Sequence, residues 1–230
     1  MNAMKILSGI LLAALVLGCG GCAGAPEEPV STLLFAPGDG GSKYYRIPAL
    51  VTADDGSLVA VADRRLESMG DLPNKIDLVA RRSTDGGRTW SSVIPIAEHR
   101  GDCGYGDAAL VSDARSGELL CIFASGRGLW ESTPEAPIDI NICRSGDFGQ
   151  TWSAPECITP QLWGAACANP LSRGWYGAFA ASGRALQLRD GRCSSSWRPV
   201  RDARPRRWST MSACRRMAAA AGACCPRRSI

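Results

Sequence analysis

Arg46, Arg65 and Asp71 are the residues of this chain whose types and spacing suit chemistry on an anion. Arginine is permanently charged, and its planar fork matches a carboxylate through two parallel hydrogen bonds. A carboxylic acid six residues beyond Arg65 can protonate a leaving oxygen, which is general acid catalysis. Arg46 stands in Tyr45-Arg-Ile-Pro-Ala-Leu50. There Pro48 fixes its own φ and should push Ile47 towards extended backbone. Arg65 ends Asp63-Arg-Arg65, just after the apolar run Ser57–Ala62. Alternation along one strand should point Arg64 away from Arg65. Taken singly, each has a plain reading as a surface arginine, a solvated strand end or a turn aspartate. The ordered set, at the ends of neighbouring strands, is what makes a site.

Those residues need a stiff sheet beneath them, and the pattern supplies one. A turn at Asp54-Asp55-Gly56 leads into the run from Ser57. Lys75–Arg82 alternates, with Ile76, Leu78 and Ala80 on one side. Ala108–Ser112 and Glu118–Ala124 flank a turn at Asp113–Gly117 and read as a hairpin. Ile138, Ile140 and Ile142 alternate in a further strand. No window of helical period reaches useful length before the tail, so the class is all-β. Two segments repeat: Ser83-Thr-Asp-Gly-Gly-Arg-Thr-Trp90 and Ser145-Gly-Asp-Phe-Gly-Gln-Thr-Trp152, both of the form S-x-D-x-G-x-T-W. Their spacing is that of one propeller blade with its loops. Asp85 and Asp147 should bond turn amides, Gly87 and Gly149 should take an unusual backbone angle, and Trp90 and Trp152 should cover a neighbouring layer. Ser83, Thr89, Ser145 and Thr151 complete the two turns, and all these roles are structural.

The repeated segment is similar to the Asp-box, and its order after Tyr45–Leu50 and Asp63–Asp71 resembles the N-terminal half of the bacterial exo-α-sialidases (neuraminidases), over residues 33–191. The resemblance implies a six-bladed β-propeller, of which about three blades lie in this chain. It implies a glycoside hydrolase that removes terminal sialic acid from glycoconjugates; the residues themselves offer no cofactor motif and no metal ligand set. Sialic acid carries a carboxylate at the carbon where the bond breaks, and these enzymes depart from the two-carboxylate pattern by using a tyrosine nucleophile. By the resemblance, Arg46 and Arg65 belong to an arginine clamp on that carboxylate. Asp71 is the acid/base, and Asp107, in Gly104-Tyr-Gly-Asp-Ala-Ala-Leu110, contacts the sugar. The family's third clamp arginine, catalytic glutamate and tyrosine come from later blades. Within these 230 residues the last Tyr is Tyr176 and the last Glu is Glu156, so this polypeptide alone is expected to lack turnover. The alternative is a non-catalytic Asp-box propeller that binds carbohydrate or protein. Trp130 could line a pocket but reads better as a cap on a blade, and the lone His99 reads as a loop residue.

The ends of the chain differ from its middle. Lys5 followed by the apolar run Ile6–Leu17 is too short to span a bilayer comfortably. It ends in Val16-Leu-Gly-Cys19, which resembles a bacterial lipoprotein signal. Residues 1–18 should be removed, Cys19 lipidated, and 19–32 should act as a tether, placing an exported protein on a membrane. Eleven cysteines show no paired zinc spacing. Residues 191–230 hold ten Arg against one Asp, a charge of +9, so residues 1–190 carry −5 of the total of +4. The basic character therefore belongs to the tail. Residues 192–230 read as an unrelated stretch produced by a frameshift in GC-rich DNA, rather than as an arm for nucleic acid.

Overall fold

Two antiparallel meanders, each of four strands, carry the candidate residues. The structure is a computed structural model that describes residues 31–180, 182–194 and 197–200. The expected leader at 1–18, the lipidation at Cys19 and residues 201–230 of the tail lie outside the described residues. The first sheet is β1 (Tyr44–Thr52), β2 (Leu58–Arg65), β3 (Ile76–Ser83) and β4 (Ile94–Ala97), hydrogen-bonded in that order. The second is β5 (Tyr105–Asp113), β6 (Glu118–Ser125), β7 (Asp139–Ser145) and β8 (Glu156–Cys157), also in chain order. Among the described residues the longest helical piece is the four-residue α1 (Thr159–Leu162). The all-β class and the blade-like units agree with the sequence. Further on, β9 (Gly177–Ala180) pairs with β13 (Trp197–Val200), β10 (Gly183–Arg184) adds parallel to β5, and β11 (Leu186–Gln187) pairs with β12 (Cys193–Ser194). Among the described residues these sheets do not close into a ring; they form part of a propeller.

β12, paired with β11, and β13, paired with β9, carry sheet structure past Gly191, beyond the expected boundary of the tail. The expected turn at Asp54-Asp55-Gly56 is present, with the Gly56 N–H donating to the Ala53 carbonyl at 2.9 Å. The expected hairpin at 113–117 joins β5 to β6.

One core lies between the blades. Val51, Val59, Val61, Leu78 and Ala80 from the first meet Leu110, Leu119, Cys121 and Phe123 from the second. Each fully buried Val, Leu or Phe of this kind stabilises the fold by about 1.5–3 kcal/mol. A second core lies on the far face of blade two. There Ile122, Ile138, Ile140 and Ile142 are covered by Ile158, Trp163, Trp175 and Ala178. The central strands β2 and β6 are thus buried on both faces, which is why their sequences read as near-continuous apolar runs.

This stacking brings the start of β1, the end of β2 and the starts of β3 and β5 to one end of the blades. The two S-x-D-x-G-x-T-W turns leave the opposite ends of β3 and β7. At about 3.3 Å per residue, the eight residues of β3 separate the two ends by roughly 26 Å.

Candidate functional site

Arg46 and Asp63 face each other across β1 and β2, and immediately after Arg46 the register slips by a bulge. Inside that bulge Ile47 has φ 54°, so the expected extended backbone before Pro48 is not what forms. A β-branched residue in the left-handed region is strained. Bulges re-aim side chains, and the sheet holds this one against the local preference. The first strand of blade two repeats the device. Its register slips between Gly106 and Ala109, and Asp107 has φ 62°. Each blade therefore opens on a strained bulge beside a residue singled out from the sequence.

Four of those residues are brought together. Arg46 Nη1 donates to Asp71 Oδ1 at 3.2 Å and to the Met69 carbonyl at 3.0 Å. Arg65 Nη1 donates to the same Asp71 oxygen at 2.8 Å, and to the carbonyls of Met69 and Gly70. Asp107 is close enough to feel Asp71, Arg65 and Arg46. The side chains of Arg46 and Asp71 are 39% and 53% exposed, so both face a ligand arriving from solvent.

Arg65 is placed differently from the sequence reading. Its side chain is 1% exposed, and both terminal nitrogens are engaged by the protein. Its Nε is buried without a hydrogen-bond partner. In this geometry it props the 69–71 loop from beneath, and the arginine that reaches solvent is Arg46.

Beneath Arg65 lies a residue the sequence reading passed over. Asp63 is fully buried, and its Oδ2 accepts from Arg65 Nη2 at 3.0 Å. Its Oδ1 accepts from the Asp107 N–H at 3.2 Å, across the boundary between the blades. Burial, and then repulsion by Asp107, push the Asp63 carboxyl up to about 7 against the pull of Arg65. Burial first, and Asp71 second, raise Asp107 against Arg65 and Arg46. The sequence did hold a signal: residues 63 and 65 of one strand share a face.

Arg64 points the other way, as alternation requires. Its Nη2 meets Asp77 Oδ2 at 2.6 Å. His99 is more than a loop residue, since both its N–H and its Nδ1 lie 2.7 Å from Asp77 Oδ1. Despite desolvation, the His99 amide, Arg64 and the His99 ring hold the Asp77 carboxyl below the usual range. Trp130 does not cap a blade: it is 71% exposed. It rides on the 126–138 loop, which approaches the site loop so closely that a Cβ on Gly128 would stand 2.6 Å from the Leu72 carbonyl.

The repeated turns form as their sequence requires. Thr89 N–H donates to both Asp85 oxygens at 2.9 and 3.0 Å, and Ser83 Oγ both donates to Asp85 and accepts from the Gly87 N–H. Around Asp147, Thr151 donates its N–H to Oδ1 and its hydroxyl to Oδ2, and Ser145 Oγ donates to Asp147 and accepts from the Gly149 N–H. Hydrogen bonds from Thr89 and Ser83 lower Asp85 to about 2. At Asp147 slight desolvation works upward, but bonds from Thr151 and Ser145 outweigh it and also hold the carboxyl at about 2. Trp90 Nε1 donates to the Gly87 carbonyl, and Trp152 packs against the core between the blades. Among the described residues no cluster of three or more His, Cys, Asp or Glu could hold a metal ion.

No protein-family model matches the chain. It is 33% identical over 173 residues to a sialidase of Bacteroides fragilis (strain YCH46), covering 67% of this chain and 30% of that protein. It is 33% identical over 206 residues to a sialidase of Micromonospora viridifaciens, covering 81% of this chain and 30% of that one. Among solved structures it is similar to the Hadza microbial sialidase Hz136, with a TM-score of 0.63 and 30% identity over 72% of this chain and 34% of the other. The chain thus spans about a third of the length of these relatives.

Proposed function

We propose, because this chain belongs to the sialidase family, that its arginine–carboxylate cluster is the leaving-group side of an exo-α-sialidase site acting on sialylated glycans. The observation that carries the reading is the exposed Arg46–Asp71 pair, 3.2 Å apart, propped from below by Arg65. Arg46 presents a cationic fork to the sialic acid carboxylate. Asp71 delivers the proton to the departing glycosidic oxygen. Asp107 stands beside both and meets the sugar hydroxyls. Arg65 organises the loop that carries Asp71 rather than meeting the sugar directly. The second half of the chemistry, a tyrosine nucleophile with its glutamate, comes from blades that residues 1–230 do not contain. The repeated turns act as Asp-boxes that staple each blade.

The test on the 230-residue polypeptide is binding. N-acetylneuraminic acid should give saturation-transfer signals with a dissociation constant of roughly millimolar strength or weaker, worth about 4 kcal/mol. Arg46→Ala should erase them, and signals that survive in that variant would reject the assignment.

We also infer that the protein is exported through a signal peptide at 1–18 and held to a membrane by a lipid on Cys19. One acyl chain gives only marginal binding, so a stable anchor carries more than one. Labelled fatty acid should appear on the protein and vanish in Cys19→Ser. A mature protein that begins elsewhere and stays in the aqueous phase would sink this.

A further inference from the structure

We infer that Asp63 is the positioning residue of the site: one buried carboxylate fixes where two others, the exposed Asp71 and the half-buried Asp107, stand. The inference rests on the functional reading above for its meaning, but not for its geometry.

The geometry is a two-armed hold. One arm runs from Asp63 Oδ2 to Arg65 Nη2 at 3.0 Å, through the guanidinium, and from Arg65 Nη1 to Asp71 Oδ1 at 2.8 Å. The other runs from Asp63 Oδ1 to the Asp107 N–H at 3.2 Å. That N–H belongs to the left-handed residue of the blade-two bulge. A strained conformer persists only when its surroundings over-determine it, and this hydrogen bond supplies part of that restraint. The space around Asp63 is cut to fit. A Cβ on Gly106 would stand 3.2 Å from Asp63 Oδ2, so a glycine admits the carboxylate there. Two acids in two blades are thereby registered through a single group that is 0% exposed.

A buried carboxylate with two donors could be only a satisfied core group. The charge distribution argues for more. The groups facing Asp63 are Arg65 on its own strand, Asp107 on β5 and the buried thiol of Cys121 on β6, with Arg46 its register partner on β1. The cluster of Arg46, Arg65, Asp63, Asp71 and Asp107 holds two positive charges against three carboxylates. With Asp63 protonated the remaining charges cancel, and with it ionised the cluster is negative. An incoming carboxylate is repelled less in the first state. Its arrival therefore favours proton uptake at Asp63, and its affinity falls as pH rises through the Asp63 titration.

The experiment is a pH titration of the isotope-labelled 230-residue chain by NMR. The Asp107 amide and the Arg65 Nε–H should shift together, with a common midpoint near that of Asp63. Asp63→Asn should remove the common step from both signals while leaving the Trp90 and Trp152 indole signals unmoved. An amide side chain can accept from only one of the two donors, so one arm must also loosen. Gly106→Ala serves as a second variant that leaves every charge in place. It presses on Asp63 and should displace both signals at constant pH. In a parallel arm, at a pH where Asp63 is protonated and the charge of the two proteins is the same, affinity for N-acetylneuraminic acid should fall by about tenfold in Asp63→Asn, as small misplacements of binding groups do. It should also lose its pH dependence near neutrality. Separate midpoints in the wild type, or a common step that survives in Asp63→Asn, overturn the positioning role. Absence of any binding by the wild type counts against the functional reading alone, because the NMR step still decides the role of Asp63.

Discussion

The two ends of the same blades treat aspartate in opposite ways. At the turn end, Asp85 and Asp147 sit near solvent, each encircled by a serine and a threonine, and both are held at about 2. At the site end, Asp63 and Asp107 sit under or beside arginines yet are pushed upward, because burial and mutual repulsion outweigh the attraction. The turn end surrounds each carboxylate with donors, although it too holds a left-handed Phe148 and a buried Trp152 Nε1 without a hydrogen-bond partner. The site end tolerates an orphaned Arg65 Nε and left-handed Ile47 and Asp107. The ends therefore differ in charge rather than in strain: carboxylates pushed upward beside arginines mark the end where a ligand can complete the structure.

The largest expected effect lies at the site end. In a longer, frame-corrected version that includes the later blades, Arg46→Lys should cut kcat/KM on sialyllactose by about 10²-fold, since a point charge replaces a bidentate fork. Wild-type kinetics from that variant would erase the contrast between the ends. At the turn end the corresponding effects fall on stability. A Cβ on Gly149, at φ 87°, would meet Val59 Cγ2 at 2.8 Å, whereas one on Gly87, at φ 89°, meets nothing nearer than Leu58 at 3.6 Å. Gly149→Ala should therefore cost about 2–3 kcal/mol, combining backbone strain with overpacking. Gly87→Ala should cost about 1–2 kcal/mol from the backbone alone. Urea unfolding of the pair checks the order, and equal midpoints would show that the second turn is not wedged against blade one.

The pH dependence of stability separates the ends by sign. Asp85 and Asp147 have depressed folded values, so their stabilisation is present above about pH 4, the unfolded value, and is lost as pH falls towards 2. Asp63 has a raised folded value, so its ionisation weakens the fold progressively as pH climbs from about 4 through about 7. Asp63→Asn should flatten the stability curve in the upper window, and Asp85→Asn in the lower one. Thermal melts at intervals of pH provide the measurement, and the reverse assignment of windows would contradict both environments. The smallest effect is expected from Ser83→Ala. It removes a donor to Asp85 and an acceptor for the Gly87 N–H at a partly exposed turn, for about 1 kcal/mol.

Much of this was legible in the sequence, because the informative residues act locally. The S-x-D-x-G-x-T-W turns close on themselves within eight residues, so their bonds follow from spacing. Arg46, Asp71 and Asp107 stand at strand ends that antiparallel meanders must bring together. What escaped depends on long-range packing. Ile47 obeys the bulge and the neighbouring strand, not the local rule for a residue before proline. Arg65 is buried by a loop that folds over it, which no pattern of residues 63–71 reveals. Asp63 was hidden by its neighbours, although its two-residue spacing from Arg65 put both on one face. The loop that carries Trp130 is set by the close approach of Gly128 to Leu72, a contact between distant segments, and the pairing of β13 with β9 joins a basic stretch whose composition carries no strand signal.

The measurement that bears most directly on the account is the leaving-group dependence of Asp71→Asn in the longer version. Two substrates are compared, a sialoside with its natural sugar leaving group and one with an activated aryl leaving group. A leaving oxygen that departs unaided needs no proton. The account predicts a loss of about 10²–10⁴-fold on the natural substrate and a far smaller loss on the activated one. Equal losses on both, or none on either, would contradict the role of Asp71 and with it the reading of the site.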